Sequence, residues 1–289
     1  MAEVLRSCAL LRAWRDKQKS VVLVPTMGNL HQGHLSLCQQ AKKYSGNLVV
    51  SIFVNPTQFE RSDQYRSYPR TLDADLALLS TVLDETDVVF VPDEKEMYPH
   101  SKEIESQKIE INVGGIGQVL EGAFRAGHFS GVATIILKLF HVVSPHRALF
   151  GKKDYQQLRV IERLCAELLI PVTIVGAETV RAESGLALSS RNQFLSEQES
   201  SIAPLFYATL KKLANVMQQD GDKASTIAES IKSLNAKNIS VDYLELWDQQ
   251  LMRRFDDGDS LAGTNGFVLL GACRMEKVRL LDAYEFNLH

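Results

Sequence analysis

The chain has no surplus of charge: its 289 residues carry 32 lysines and arginines against 35 aspartates and glutamates, a net −3. Nucleic-acid binders carry a basic face, and interaction tails show blocks of like charge; neither is present. Hydrophobic residues make up 45% of the chain, yet no uninterrupted apolar stretch approaches the ~20 residues of a membrane span. The first stretch, MAEVLRSCALLRAWRDK, is charged throughout and has neither the apolar core nor the cleavage site of a signal peptide. It reads as an amphipathic helix. Cysteine is scarce. Cys8, Cys38, Cys165 and Cys273 are scattered without a Cys-x-x-Cys pair, which fits a reducing compartment and no structural metal. The stretch GGIGQVLEGAFRAGHFSG (114–131) has six glycines, but no Gly-Lys-Ser/Thr follows, so it is neither a P-loop nor a dinucleotide fingerprint. A cytoplasmic protein with no nucleic-acid and no membrane partner is expected.

What is present is an alternation. Strand-like runs at 21–25, 48–54, 87–92, 147–151 and 172–176 are separated by helical patterns such as 72–85, 131–143 and 154–169. That rhythm predicts βαβ units and an α/β fold, a Rossmann-like doubly wound parallel sheet. After about residue 195 the texture changes. Helical stretches at 197–219 and 222–235 precede VDYLELWD, GFVLLGACRM and VRLLDAYEF, three antiparallel strand candidates of a second, smaller α+β domain. At about 150 residues per domain the length suits two, with boundaries at 1–176 and 177–289.

The polar residues of interest gather where the buried strands end, the edge at which open α/β sheets bind ligands. The apolar run Ser20 to Val24 leads into PTMGNLHQGHLSL (25–37). This is a glycine-bearing turn into a helix that starts near Gly33. A helix start offers unpaired backbone N–H groups and a positive dipole end, a seat for phosphate. His31 in the turn and His34 in the first helical turn would both reach an anion held there. They make a weak zinc site, because no third ligand lies nearby at metal spacing.

The second edge, SIFVNPTQF (51–59), presents Asn55 and Gln58, amides suited to a carboxylate or hydroxyls without net charge, although Asn55 before Pro56 suits turn chemistry alone equally well. Asp73 and Asp75 suit the negative first turn of a helix better than a Mg²⁺ site. His128 faces a ligand or merely caps the helix that follows, and Arg125 is equally open. In GKKDYQQL (151–158), Lys153 suits triphosphate charge, Asp154 a ribose hydroxyl or a helix cap, and Gln157 the pocket of Gln58. LALSSRNQFL (186–195) groups Ser189, Ser190 and Arg191 as phosphate donors.

The segment His31-Gln32-Gly33-His34 resembles the His-x-Gly-His signature of the nucleotidyl-transferring α/β superfamily. PTMGNLHQGHLSL, FVNPTQF, YPRT, EGAFRAGHFSGV, FGKKDYQQL and GLALSSRN follow one another in that order. Together they resemble the pantoate–β-alanine ligase family. The resemblance implies a two-step ligation in which pantoate is activated by ATP as pantoyl adenylate and then captured by β-alanine. Mg²⁺ accompanies the ATP. It further implies that Met27, Gly28, Asn29, Leu30, His31, Gln32, Gly33 and His34 form the ATP-phosphate loop, with His34 as acid. Gly151, Lys152, Lys153 and Asp154, then Val180, Leu188, Ser189, Ser190 and Arg191, complete the ATP site. Gln58 and Gln157, beside Asn55, hold pantoate. A homodimer whose small carboxyl-terminal domain closes over the site is implied as well. Two positions depart from the family pattern: Lys152 stands where an acid is usual and adds positive charge near the phosphates, and Ala74 stands where some relatives carry a third acid.

Overall fold

The computed structural model describes residues 2–100, 109–219, 223–256, 259–264 and 266–288. The chain divides into two compact units, Met1–Gly151 with Val160–Ala177, and Lys152–Arg159 with Glu178–His289.

The first unit and its connections run β1 (Glu3–Leu5), α1 (Cys8–Arg15), β2 (Val21–Thr26), α2 (Gln32–Ala41), β3 (Asn47–Ile52), α3 (Ser62–Ser67), α4 (Leu72–Leu79), β4 (Val88–Phe90), α5 (Glu94–Met97), α6 (Glu121–Phe124), α7 (His128–Val143), β5 (Arg147–Gly151), α8 (Tyr155–Glu167) and β6 (Thr173–Ala177). The strands form one six-stranded sheet in the order β1-β4-β3-β2-β5-β6, every pair parallel. A parallel sheet covered on both faces demands strands that are apolar on both. Val21 to Val24, Leu48 to Val50 and Val88 to Phe90 are accordingly all buried. The order reverses between β2 and β5, so the crevice for a ligand lies beyond Thr26 and Gly151 at the carboxyl ends of these two strands.

The amino-terminal stretch departs from the single helix expected of it. Glu3 to Leu5 pair with Val88 to Phe90 as an edge strand, and α1 starts only after Ser7, whose hydroxyl accepts the Leu10 N–H. A three-residue strand is too short to show its period. The helix expected over 72–85 stops at Leu79. Asp87, fully buried, explains part of that: one carboxylate oxygen accepts the Leu48 N–H at 2.9 Å and the other takes Lys42 Nζ at 2.8 Å and the Asp84 N–H at 2.9 Å. The turn before β4 is thus pinned to the start of β3.

The second unit adds α9 (Glu197–Ile202), α10 (Pro204–Gln219), α11 (Lys223–Asn235), β7 (Ser240–Asp248), β8 (Arg254–Phe255), β9 (Phe267–Arg274) and β10 (Arg279–Phe286). Its antiparallel sheet has the order β10-β9-β7-β8, of which the two-residue β8 is unannounced by the sequence. Leu210, Leu213 and Met217 share a core with Leu244, Leu246, Phe267 and Leu269. Asp242 takes Arg274 at 2.9 Å and Arg279 at 2.6 Å. Among the described residues, no helix is long and apolar enough to cross a membrane.

One glycine fixes how closely β3's outgoing corner approaches α7. A Cβ on Gly131 would lie 2.4 Å from the Thr57 carbonyl oxygen and 2.8 Å from the Gln58 nitrogen, both backbone atoms that cannot rotate away. Gly131→Ala is therefore expected to destabilise the fold by about 1–3 kcal/mol, as overpacking does. Chemical denaturation would read this as a lower midpoint at an unchanged slope.

Candidate active site

Side chains take five backbone N–H groups between the end of β2 and the start of α2. Thr26 Oγ1 donates to Ser51 O at 2.8 Å and accepts the Gly28 N–H at 3.3 Å. Gly28 (φ +81°) and Asn29 (φ +50°) are both left-handed, a conformation natural for glycine and tolerated by asparagine. Asp75 accepts the next two N–H groups, Asn29 at 3.0 Å on Oδ2 and Leu30 at 2.8 Å on Oδ1. The carboxylate is 2% exposed and also takes the Thr71 hydroxyl at 3.2 Å. Asp75 thus holds a different loop, where helix capping was expected of it, while Asp73 is exposed. The side chains diverge because one residue separates them on the helix.

His31 is the N-cap of α2. Its Nδ1 accepts the Gly33 N–H at 3.1 Å, and His34 Nδ1 accepts the His31 N–H at 3.3 Å, a reciprocal capping box built from two imidazoles. The helix start was expected to offer bare N–H groups to an anion; one of them, the Gly33 N–H, is taken by the His31 ring, as the N-cap's own N–H is by His34. A ring nitrogen that accepts carries no proton, so in each neutral ring the proton sits on Nε2. The rings lie 4.1 Å apart between centroids, tilted by 43°. They form a pair of N–H donors whose orientation is set by the helix they cap.

At the carboxyl end of β3, Asn55 caps the short turn Pro56–Gln58 and is 1% exposed. Its Oδ1 accepts the Tyr98 hydroxyl at 2.7 Å and the Thr57 hydroxyl at 2.9 Å; its Nδ2 donates to Gln58 Oε1 at 3.0 Å and Gly131 O at 3.2 Å. Asn55 is spent on the protein itself: of the two roles open to it in the sequence, the structure shows the turn-forming one. Its effect is to orient Gln58, whose carbonyl oxygen is taken and whose NH₂ group is what a ligand would meet. Burial pushes the Tyr98 hydroxyl up to about 12, so it stays a donor. His128 does not cap α7, whose N-cap is Gly127; it and Arg125 meet the Gln58 backbone instead. Nδ1 of His128 donates to Gln58 O at 2.9 Å, and Arg125 Nη1 lies 3.1 Å from His128 Nε2.

In the second unit, Lys152 Nζ donates to Glu178 and Glu285, each at 2.6 Å. Burial lowers the ammonium's proton affinity, but the hydrogen bonds to the two carboxylates outweigh it and the net shift is upward. Lys152 is charged but neutralised, unlike the phosphate-facing cation the sequence suggested. Lys153 is 18% exposed and lines a narrow pocket with Ser189, Asn192 and Tyr207. Val180 and Leu188 pair across a hairpin, Leu188 N–H to Val180 O at 2.9 Å. Arg181 steadies that hairpin through both Asp282 oxygens, at 2.7 and 2.8 Å, while stacking over the Tyr207 ring. Gln157 lies in the first turn of α8, half-buried, next to buried Gln156.

Residues 2–285 match the pantoate-beta-alanine ligase family. A pantothenate synthetase of Neisseria meningitidis is 44% identical over 288 residues, 99% of each chain, and one of Chromobacterium violaceum is 42% identical over 284. The crystal structure of a pantothenate synthetase of Thermus thermophilus superposes with a TM-score of 0.87 at 39% identity, covering 98% of both chains. A pantoate–β-alanine ligase of Francisella tularensis, solved in complex with beta-gamma ATP and β-alanine, gives a TM-score of 0.77 at 32% identity, covering 98% and 97%. The chain belongs to the pantoate–β-alanine ligase family. Its activity is the joining of pantoate to β-alanine.

For a pantoate–β-alanine ligase the geometry sorts the residues suggested by sequence. Met27 to His34 form one closed loop, Gln58 sits at the neighbouring strand end, and Lys153 shares a pocket with Ser189. Thr57, Tyr98 and Asp75 act here without having been anticipated as site residues. Tyr98 follows β4, the next strand along the same edge, and that position was the available signal. Among the described residues, no three His, Cys, Asp or Glu side chains gather as a metal cage.

The two ring nitrogens of His34 do different jobs, which substitution can separate. His34→Asn puts an acceptor where Nδ1 caps the loop and removes the Nε2 donor; His34→Gln puts a donor near Nε2 and loses the cap. The first is expected to keep the wild-type melting temperature and lose turnover by roughly 10²-fold or more. The second is expected to melt lower yet keep more activity. Calorimetry and steady-state rates read the two effects independently.

Proposed function

We propose that the chain condenses pantoate with β-alanine in two ATP-dependent steps at the carboxyl edge of the parallel sheet. A pantoate carboxylate oxygen attacks the α-phosphorus of ATP, the bond to the β-phosphate bridging oxygen breaks, and pyrophosphate leaves. The β-alanine amine then attacks the acyl carbon of pantoyl adenylate. AMP departs with the former carboxylate oxygen, the amine gives up a proton, and pantothenate remains.

The observation that carries this reading is the imidazole pair. Two neutral Nε2–H donors at the start of α2, directly after β2, suit the charge that moves onto phosphate oxygens as pyrophosphate leaves. Groups held in place before the reaction are the ones that stabilise such charge effectively. His34 is the acid or strongest donor, His31 its partner, and Lys153 a cation for the phosphates. Gly151, Asp154, Val180, Leu188, Ser190 and Arg191 complete the ATP contacts, and Lys152 supports them from its carboxylate pair. Gln58 holds pantoate through its NH₂ group with Gln157 as the second amide, and Asn55 acts through Gln58. Neutral amides leave the carboxylate nucleophilic, where a paired cation would blunt it.

Mg²⁺ would enter with ATP, held mainly by the substrate's phosphates, and would offset their negative charge. The protein is a cytoplasmic homodimer in this reading.

The order of steps is open to a direct test. Enzyme, Mg²⁺, ATP and pantoate should exchange labelled pyrophosphate into ATP without β-alanine, and omitting pantoate should stop the exchange. Adding β-alanine should yield one AMP per pantothenate. Release of ADP, or exchange supported by a phosphorylated acceptor and not by pantoate, would overturn the assignment.

A further inference from the structure

Asp75 stands outside the loop it serves. It comes from α4, more than forty residues along the chain, yet its two carboxylate oxygens bracket two successive N–H groups, those of Asn29 and Leu30, at 3.0 and 2.8 Å. Successive backbone N–H groups in a turn can make a small concavity for an anion. The turn that carries Gly28 and Asn29, both at positive φ, turns the Asn29 and Leu30 N–H groups to one carboxylate, and the anion filling it is the protein's own. The fit is close: a Cβ on Gly28 would lie 3.0 Å from Asp75 Oδ2. Thr71 holds the same carboxylate from the other side at 3.2 Å.

We propose that Asp75 is a positioning residue for the nucleotide: a buried carboxylate that fills the anion-binding turn of the Met27–His34 loop. It thereby directs the incoming triphosphate to the His31 and His34 rings. This rests on the reading of that loop as the ATP-phosphate seat. With the carboxylate in place, Asn29 and Leu30 cannot donate to phosphate, and a phosphate near them meets negative charge. Leu30 directly precedes His31, so fixing its N–H also fixes the entry to the capping box. Nothing about Asp75 requires it to touch ATP.

Asp75→Asn keeps the shape, leaves one oxygen to accept a single N–H, and turns an NH₂ group toward the other. Its KM for ATP is expected to rise about tenfold, because small misplacements of substrate-positioning groups carry large kinetic penalties. The KM values for pantoate and β-alanine should stay within about twofold, a split that mere loss of folded enzyme would not produce. Gly28→Ala, which presses on the same oxygen, should give the same signature, and the double variant should be no worse than the poorer single one. Hydrogen exchange in the wild type offers a reading that needs no variant: the Asn29 and Leu30 amides should be protected in the ligand-free enzyme. An ATP KM within about twofold of wild type for folded Asp75→Asn, a common rise in all three KM values, or amides exchanging as in an unfolded chain would each overturn the proposal. The underlying reading fails separately. If His34→Asn also keeps full turnover, the loop is not the phosphate seat; if His34→Asn is inactive while Asp75→Asn is normal, only the role of Asp75 falls.

Discussion

A parallel strand that ends in a helix leaves a string of backbone N–H groups with no ladder and no preceding turn to accept them. At the mouth of β2 the protein answers this group by group. Thr26 takes Gly28, Asp75 takes Asn29 and Leu30, the His34 ring takes His31, and the His31 ring takes Gly33. The rest of the site follows from that arrangement. Because the imidazoles spend their Nδ1 atoms on the backbone, their Nε2 atoms must carry the protons, and a capping requirement leaves a pair of N–H donors that suits the phosphate role proposed for them. A bare helix start would bind an anion too, but through groups that stay where the backbone puts them. Rings that cap and donate at once place the charge-stabilising N–H groups farther out.

The same economy governs the next strand. Asn55 has its carbonyl oxygen occupied by Tyr98 and Thr57 and its amide by Gln58 and Gly131. A primary amide can present either end to a ligand, and its preference is decided by what the buried neighbour needs. Here Asn55 donates, so Gln58 must accept with its oxygen and offer its NH₂. A carboxylate is the complement of that group. His128 and Arg125 hold the backbone behind it.

Much of this was legible beforehand, for identifiable reasons. Both-face apolar strands such as VVLV cannot be hidden in a sequence, so the parallel sheet and the turn after Thr26 were visible, as were His31, His34 and Gln58. What stayed hidden were features set by tertiary pairing. β1 and β8 are shorter than any period, and they exist because Val88 to Phe90 and Leu246 to Trp247 offer an edge. Asp75 looked like a helix-capping residue because its partners, Asn29 and Leu30, are remote in sequence. Asn55 stayed undecided between a turn and a ligand contact because nothing local shows that Tyr98 and Gly131 reach it.

Charge follows a consistent rule across both units. Lys42 is held by Asp84 and Asp87, Lys152 by Glu178 and Glu285, and Arg181 by Asp282. These cations are neutralised in the structural pairs they make, and each brings a carboxylate with it. A reaction that must keep one carboxylate nucleophilic is poorly served by unpaired cations beside that acid, since each would compete with phosphorus for its electrons. Neutral donors of fixed direction avoid this, which is why amides and imidazoles, and not a cluster of lysines and arginines, suit the residues at the mouths of β2 and β3. The substitution of lysine for an acid at position 152 is compatible with the chemistry for the same reason: its added charge is absorbed by two glutamates.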